Sequence, residues 1–111
     1  YRCLITKSLV ISFLLVKLLI MKTIIKNNTV KINEITLGPL EETGVHFHEY
    51  DYVIVPITDG KLISFDNTNI KTEFSIKKGE PYFRKAGVKH NILNKSNHEI
   101  KFIEIEIVVT S

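Results

Sequence analysis

From Met21 onward this chain predicts an all-β domain, a sandwich or barrel of short strands, and three features carry that expectation. Apolar and polar residues alternate in short runs, and the runs are rich in Ile, Val, Phe and Tyr. Gly, Asn, Asp and Pro separate one run from the next. No segment repeats apolar residues at the three- and four-residue spacing of a long amphipathic helix.

The elements follow in order. Thr29 to Leu37 alternates imperfectly, with Val30, Ile32, Ile35 and Leu37 set around Asn33 and Glu34. Gly44 to Gly60 is an apolar run headed by His46 and His48 and closed by the turn pair Asp59-Gly60. Lys61 to Phe65 reads as a strand, with Asp66-Asn67 as the turn after it. Ile70, Phe74 and Ile76 mark another, ended by Lys77-Lys78-Gly79. His90 to Leu93 leads into the turn Asn94-Lys95-Ser96-Asn97. In the last strand, Glu99 to Val109, Ile103, Ile105 and Ile107 share one face, and Phe102, Glu104 and Glu106 share the other.

A chain of 111 residues holds one domain with a core of its own. The 15 basic and 12 acidic residues give a net charge of +3, but Arg2, Lys7 and Lys17 precede Met21 with no acidic residue among them. The rest is therefore formally neutral, and no basic stripe with interleaved aromatics is left to follow a phosphate backbone. Nucleic acid is excluded as a partner on this ground. The lone cysteine, Cys3, leaves no internal disulfide and no zinc–thiolate cluster, which fits a reducing compartment and a cytoplasmic protein.

Residues 1–20 form a basic-then-apolar leader. Lys17 interrupts an apolar stretch already shorter than the ~20 residues a spanning helix needs, so no membrane partner is expected. No small-x-small cleavage site precedes Met21, although the basic start and apolar centre resemble a signal peptide. The two readings are a signal-like segment and upstream sequence read in frame. On either, the domain is residues 21–111.

The chemistry concentrates in His46-Phe47-His48. In a strand, residues i and i+2 point to one face, so both imidazoles can converge on one ion. A third histidine, His90, closes the segment that begins at Gly79.

These residues resemble the two cupin motifs. The first is Gly, five residues, His-x-His, three or four residues, Glu, six residues, Gly. It is matched at His46, His48 and Gly60, but Tyr52 stands where the glutamate falls and the run to Gly60 is one residue long. The second is Gly, five residues, Pro-x-Gly, two residues, His, three residues, Asn. It is matched at Gly79, Gly87, His90 and Asn94, with Lys85 at the proline position. More narrowly, Thr43-Gly44-Val45-His46-Phe47-His48-Glu49-Tyr50-Asp51-Tyr52-Val53 together with Pro81 to Val88 is similar to short single-domain cupins linked to β-alanine degradation. The resemblance covers almost everything after Met21. It implies a single-domain, RmlC-like jelly-roll β-barrel in which the second-motif strand brings His90 opposite His46 and His48.

Three neutral imidazoles suit a divalent transition metal: Fe, Mn, Ni, Cu or Zn. Without the motif glutamate the metal keeps its full charge, which favours a small anionic ligand in the open positions. The fourth ligand is open between water or substrate, Tyr52 as a phenolate, and Glu49 or Asp51 turned inward by a bulge. Tyr52 is expected on the face of His46 and His48 by parity.

Arg84 stands where the cupin pattern is usually apolar. It either clamps a substrate carboxylate or pairs with Glu104 or Glu106. Tyr82 shares its parity and either lines the pocket as a donor or fills the core. His98 is expected to be exposed or structural, and Glu41, Glu42, Glu80 and the lysines from Lys71 to Lys78 to be solvated surface.

The last strand carries long side chains on both faces. One can be covered by the partner sheet and the other by a second subunit, so a homodimer is expected. The functional expectation is a metal-dependent cupin acting on a small carboxylate or amino-acid-derived metabolite. The rival is a non-catalytic module that senses or carries such a ligand.

Overall fold

The computed structural model describes residues 20–109. Of the leader expected over residues 1–20, only Ile20 falls among them, and it opens the first strand. The remaining leader positions and the two C-terminal residues lie outside the described residues.

Nine strands follow one another: β1 Ile20–Lys26, β2 Val30–Leu37, β3 His46–His48, β4 Tyr52–Pro56, β5 Gly60–Asp66, β6 Lys71–Ile76, β7 Tyr82–Arg84, β8 Val88–Asn94 and β9 Ile100–Ile107. They build two antiparallel sheets, one ordered β1-β2-β9-β4-β7 and the other β3-β8-β5-β6. No helix among the described residues is long and apolar enough to cross a membrane. The observed architecture among the described residues is therefore all-β, a barrel of two antiparallel sheets, as the sequence predicts.

Strand periodicity decides which side chains meet between the sheets. Ile35, Leu37, Tyr52, Ile54, Ile100 and Phe102 come from the five-stranded sheet, and Leu62, Ile76 and Ile92 from the other. Each apolar side chain fully removed from water there contributes about 1.5–3 kcal/mol. On β9 the inward set is Ile100, Phe102 and Glu104, while Ile103, Ile105 and Ile107 are only half-buried on the outer face. The aliphatic face is thus the outside, and the face with two glutamates is turned toward the barrel.

Several turns take the form their residues dictate. Asp66 Oδ1 accepts bonds from Thr68 N at 2.8 Å, Thr68 Oγ1 at 2.7 Å and Ile70 N at 2.9 Å, closing the expected turn after β5. Gly60 begins β5 because a Cβ there would stand 2.4 Å from Ile100 Cδ1, a fully buried side chain. Two surface expectations are corrected. Leu40 takes φ 63°, and the tight turn folds Glu41 inward to 9% exposure, where its carboxylate accepts from Gly38 N. Glu42 is half-buried and accepts from Asn91 Nδ2 at 2.7 Å.

Candidate metal centre

Strand register assembles the histidines. β3 pairs with β8 so that His46 stands directly opposite His90, and His48 lies two residues along the same face. Ring centroids are 4.7 Å apart for His46–His48, 4.6 Å for His46–His90 and 5.1 Å for His48–His90. One ring nitrogen from each lies within 4.8 Å of the others. Nε2 of His48 and Nε2 of His90 face each other at 3.2 Å.

The backbone fixes one tautomer. His46 Nδ1 donates to the Gly44 carbonyl at 2.7 Å, so in the neutral ring the lone pair is on Nε2. Gly44 is itself anchored, its N–H donating to Asn91 Oδ1 at 2.9 Å. His90 Nδ1 lies 3.5 Å from Ser64 Oγ. His48 is only 3% exposed, and its Nδ1 is buried without a hydrogen-bond partner.

Burial keeps all three rings neutral. It pulls His46 down to about 4 against the raising effect of the Gly44 bond. It pulls His48 to about 3, with His46 and His90 adding repulsion, and His90 to about 4, with His46 and Arg84 adding theirs. Neutral imidazole is the form that binds a metal. Ligand atoms sharing an ion at ~2.1 Å each can be at most ~4.2 Å apart, so the 3.2 Å pair is already within reach of one ion and the full set, within 4.8 Å, needs at most a small ring movement to close on it. The donor set fits a divalent transition metal.

Tyr52 reaches the site by a different route from the one parity suggests. The chain leaves strand geometry between β3 and β4, which belong to opposite sheets, so parity cannot be counted through residues 49–51. Tyr52 arrives from the facing sheet and stacks on His48, centroids 4.0 Å apart and planes 23° from parallel. Burial, then Tyr82 and Glu104, push its phenol well above the ordinary tyrosine range, which opposes ligation as a phenolate. Glu49 is exposed, and Asp51 Oδ1 is occupied by Ala86 N at 2.8 Å, so neither turns inward.

The histidines open on a cavity of about 290 Å³. Its apolar wall includes Ile54, Leu62, Phe74, Ile92 and Phe102, and its polar groups include Tyr52, Tyr82, Arg84 and Glu104. Tyr52 pairs with Arg84 and Ile54 with Tyr82 across β4 and β7, so both expected ligand-binding residues share the inward face. Arg84 is exposed at the cavity's edge. It donates to its neighbour's carbonyl, Phe83 O, at 3.0 Å, with its guanidinium carbon 4.5 Å from the Tyr82 ring centre. Burial raises the Tyr82 phenol to about 12, so it is a donor at neutral pH.

His98 is exposed and its Nε2 lies 2.9 Å from the Asp59 carbonyl, the structural role expected of it. Glu104 is a cavity residue that sequence reasoning weighed only as a partner for Arg84. It is 3% exposed, with Oε2 4.0 Å from His48 Nε2. The available signal was an acid on the inward parity of a core strand.

Known proteins resemble this chain in sequence and fold. No protein-family profile matches the chain. Over 74 residues, 67% of this chain and 77% of the relative, it is 46% identical to "Beta-alanine degradation protein BauB" of Pseudomonas aeruginosa. A cupin domain from Bordetella pertussis Tohama I superposes with a TM-score of 0.77 at 39% identity, covering 80% of this chain and 92% of that one. An RmlC-like cupin with a double-stranded β-helix fold from Methanocaldococcus jannaschii shares the fold at a TM-score of 0.68 and 19% identity, covering 82% and 81%. With its two-sheet barrel and its histidines on facing positions of two neighbouring strands, this chain belongs to the cupins.

Proposed function

We propose that this cupin binds a divalent transition metal on His46, His48 and His90 and acts on a small carboxylate or amino-acid-derived metabolite. The observation that carries the reading is the convergence of three neutral imidazoles, one buried and two half-buried, at the head of a cavity with a cation at its edge. β-Alanine degradation is the first pathway to test, because a relative 46% identical over 74 residues bears that name.

The metal, when bound, supplies Lewis-acid polarisation, with Fe, Mn, Ni, Cu and Zn all compatible with the donor set. Arg84 binds the carboxylate of the ligand through its paired N–H groups, and Tyr82 donates a hydrogen bond beside it. The apolar wall of Leu62, Phe74, Ile92 and Phe102 excludes water from the carbon skeleton. A reducing, cytoplasmic setting accompanies this reading, supported by a sequence with one cysteine.

The test begins with elemental analysis of protein purified without added metal. His46→Ala, His48→Ala and His90→Ala should each strip the metal while leaving the far-UV signal and the cooperative melt in place. Stoichiometric metal in any two of these variants would reject the assignment. Turnover of a panel of small carboxylic acids by the loaded protein then separates an enzyme from a module that only binds its ligand.

We also propose a homodimer formed over the outer face of the five-stranded sheet. Register places Ile25, Ile32, Ile105, Val53 and Phe83 side by side across all five strands. Ile25 and Phe83 at its ends remain 45% and 50% exposed. Ordinary strand spacing makes this face roughly 19 Å across, and it runs roughly 27 Å along β2 and β9 but only about 10 Å along the three-residue β7. Two such faces stacked remove about 800 Å² from water as flat area, the small end of specific interfaces. Light scattering at micromolar concentration should give twice the chain mass, and Ile105→Lys should halve it. A wild-type monomer rejects the proposal.

A further inference from the structure

The Glu104 carboxylate lines the cavity with Oε1 bonded to Asn33 and Oε2 near His48. Asn33 Nδ2 donates to its Oε1 at 3.2 Å. Asn33 is in turn fixed, for Thr23 Oγ1 donates to Asn33 Oδ1 at 2.9 Å. The three residues lie on three successive strands of one sheet, β1, β2 and β9, with Thr23 opposite Asn33 and Asn33 opposite Glu104. Asn33 and Glu104 are 2% and 3% exposed, so the bond between them lies in the protein interior, and Thr23 secures Asn33 from the exposed strand β1. It ends at Oε1 and leaves Oε2 4.0 Å from His48 Nε2.

That arrangement has the form of a supported metal ligand. A carboxylate oriented by an amide behind it spends less entropy on coordination, and such outer partners are worth ~10- to 100-fold in metal affinity. Two ligand atoms on one ion at ~2.1 Å each can be up to ~4.2 Å apart, and 4.0 Å lies inside that limit. The terminal torsion of a glutamate is broad, so a rotation about it can carry Oε2 toward an ion held by the histidines.

We propose that Glu104 is the fourth protein ligand of this metal centre, oriented by the Thr23–Asn33 chain, in place of the carboxylate that Tyr52 displaces from the first motif. A glutamate on β9 then does, from the neighbouring strand, what the first motif ordinarily does from its own. Register allows it: Tyr52 faces Glu106 and Ile54 faces Glu104, so the side chains at 52 and 104 share the inward surface one step apart. The metal would carry a single net positive charge rather than two. Arg84 would remain the separate contact for an anionic ligand. The inference rests on the metal-dependent reading above.

Cobalt(II) is the probe, because its visible absorption responds to the number and type of ligands. Metal-free wild type, Glu104→Gln, Asn33→Leu and Glu106→Gln are titrated with it, following both affinity and spectrum. Glu104→Gln should bind at least ~100-fold more weakly with altered bands, and Asn33→Leu ~10-fold more weakly. Glu106→Gln, which removes the same charge two residues away, should match wild type. Wild-type affinity and an unchanged spectrum in Glu104→Gln would overturn the proposal and leave the histidines as the whole protein ligand set. An equal loss in Glu104→Gln and Glu106→Gln would overturn it too, as a general charge effect. Should Glu104→Gln lack a folded far-UV spectrum, Glu104→Asp, whose shorter carboxylate falls back from the histidines, is judged by the same criterion. If wild type takes up no cobalt, the metal-dependent reading itself falls, a result distinct from uptake that ignores residue 104.

Discussion

Asn94 closes the second histidine motif, yet the structure uses it to hold the fold, and replacing it by alanine separates the two roles. Asn94 is fully buried and does not line the cavity. Its Nδ2 donates to the carbonyls of Leu37 at 3.0 Å, Gly38 at 3.0 Å and His98 at 2.9 Å, and its Oδ1 accepts from Ser96 N at 2.8 Å. One side chain thus joins the end of β2 to the turn between β8 and β9. Asn94→Ala removes a donor from the Leu37, Gly38 and His98 carbonyls and an acceptor from Ser96 N, while the Gly38 carbonyl keeps its bond from Glu41 N at 3.1 Å. Four bonds at about 0.5–1.5 kcal/mol each give about 2–6 kcal/mol, against a total stability of about 5–15 kcal/mol for a typical domain. At about 4–8 °C per kcal/mol, the melting temperature should fall by at least ~8 °C. The assay is a thermal melt followed by circular dichroism, paired with elemental analysis at a temperature where the variant is folded. The folded variant should hold stoichiometric metal. A melt within ~3 °C of wild type, or metal lost with stability intact, would refute the reasoning and move Asn94 into the site.

Two further outcomes follow from the site. Arg84→Met should change stability by less than ~1 kcal/mol, since among the described residues the exposed guanidinium is held by a neighbouring carbonyl bond and an aromatic contact, while weakening a small carboxylate ligand by ~10- to 100-fold. A large fall in melting temperature with affinity unchanged would make Arg84 structural. The metal-free protein should lose stability on acidification. Its histidines sit at about 3 to 4 when folded and near 6.5 when unfolded, so below 6.5 the unfolded chain binds more protons. The stabilisation is fully present above pH 6.5 and is lost as pH falls toward the folded values, at about 1.4 kcal/mol per pH unit for each imidazole. Urea denaturation at pH 7.5 and 5.0 measures this, and a profile that is flat or rises on acidification would show that the rings are not held neutral.

Local pattern was enough for much of this protein. Alternation and turn residues located β2, β5, β6, β8 and β9 to within one or two residues at most of their ends, because a strand's two faces and its stops are local properties of the chain. The two-residue spacing of His46 and His48, with His90 in the second motif, was likewise legible, since same-face geometry follows from the strand alone. β1 was not anticipated. All seven of its residues are exposed, so its sequence carries no buried-face signal, and only pairing with β2 makes it a strand.

Tertiary structure decided what the pattern left symmetric. A strand's alternation says that Ile103, Ile105 and Ile107 oppose Phe102, Glu104 and Glu106, but not which face meets the other sheet. Packing put the glutamate face inside, where Glu104 borders the histidines. Parity fails across a break in strand geometry, so the place of Tyr52 beside His48 depended on the crossing from one sheet to the other after β3. The inward fold of Glu41 depended on the left-handed turn at Leu40, and the chain from Thr23 through Asn33 to Glu104 on the register of the β1–β2 pair against β9, 71 residues on from Asn33. Periodicity is a property of one strand; register, the choice of inner face and contacts between strands belong to the assembled sheets, and those set the chemistry of the cavity.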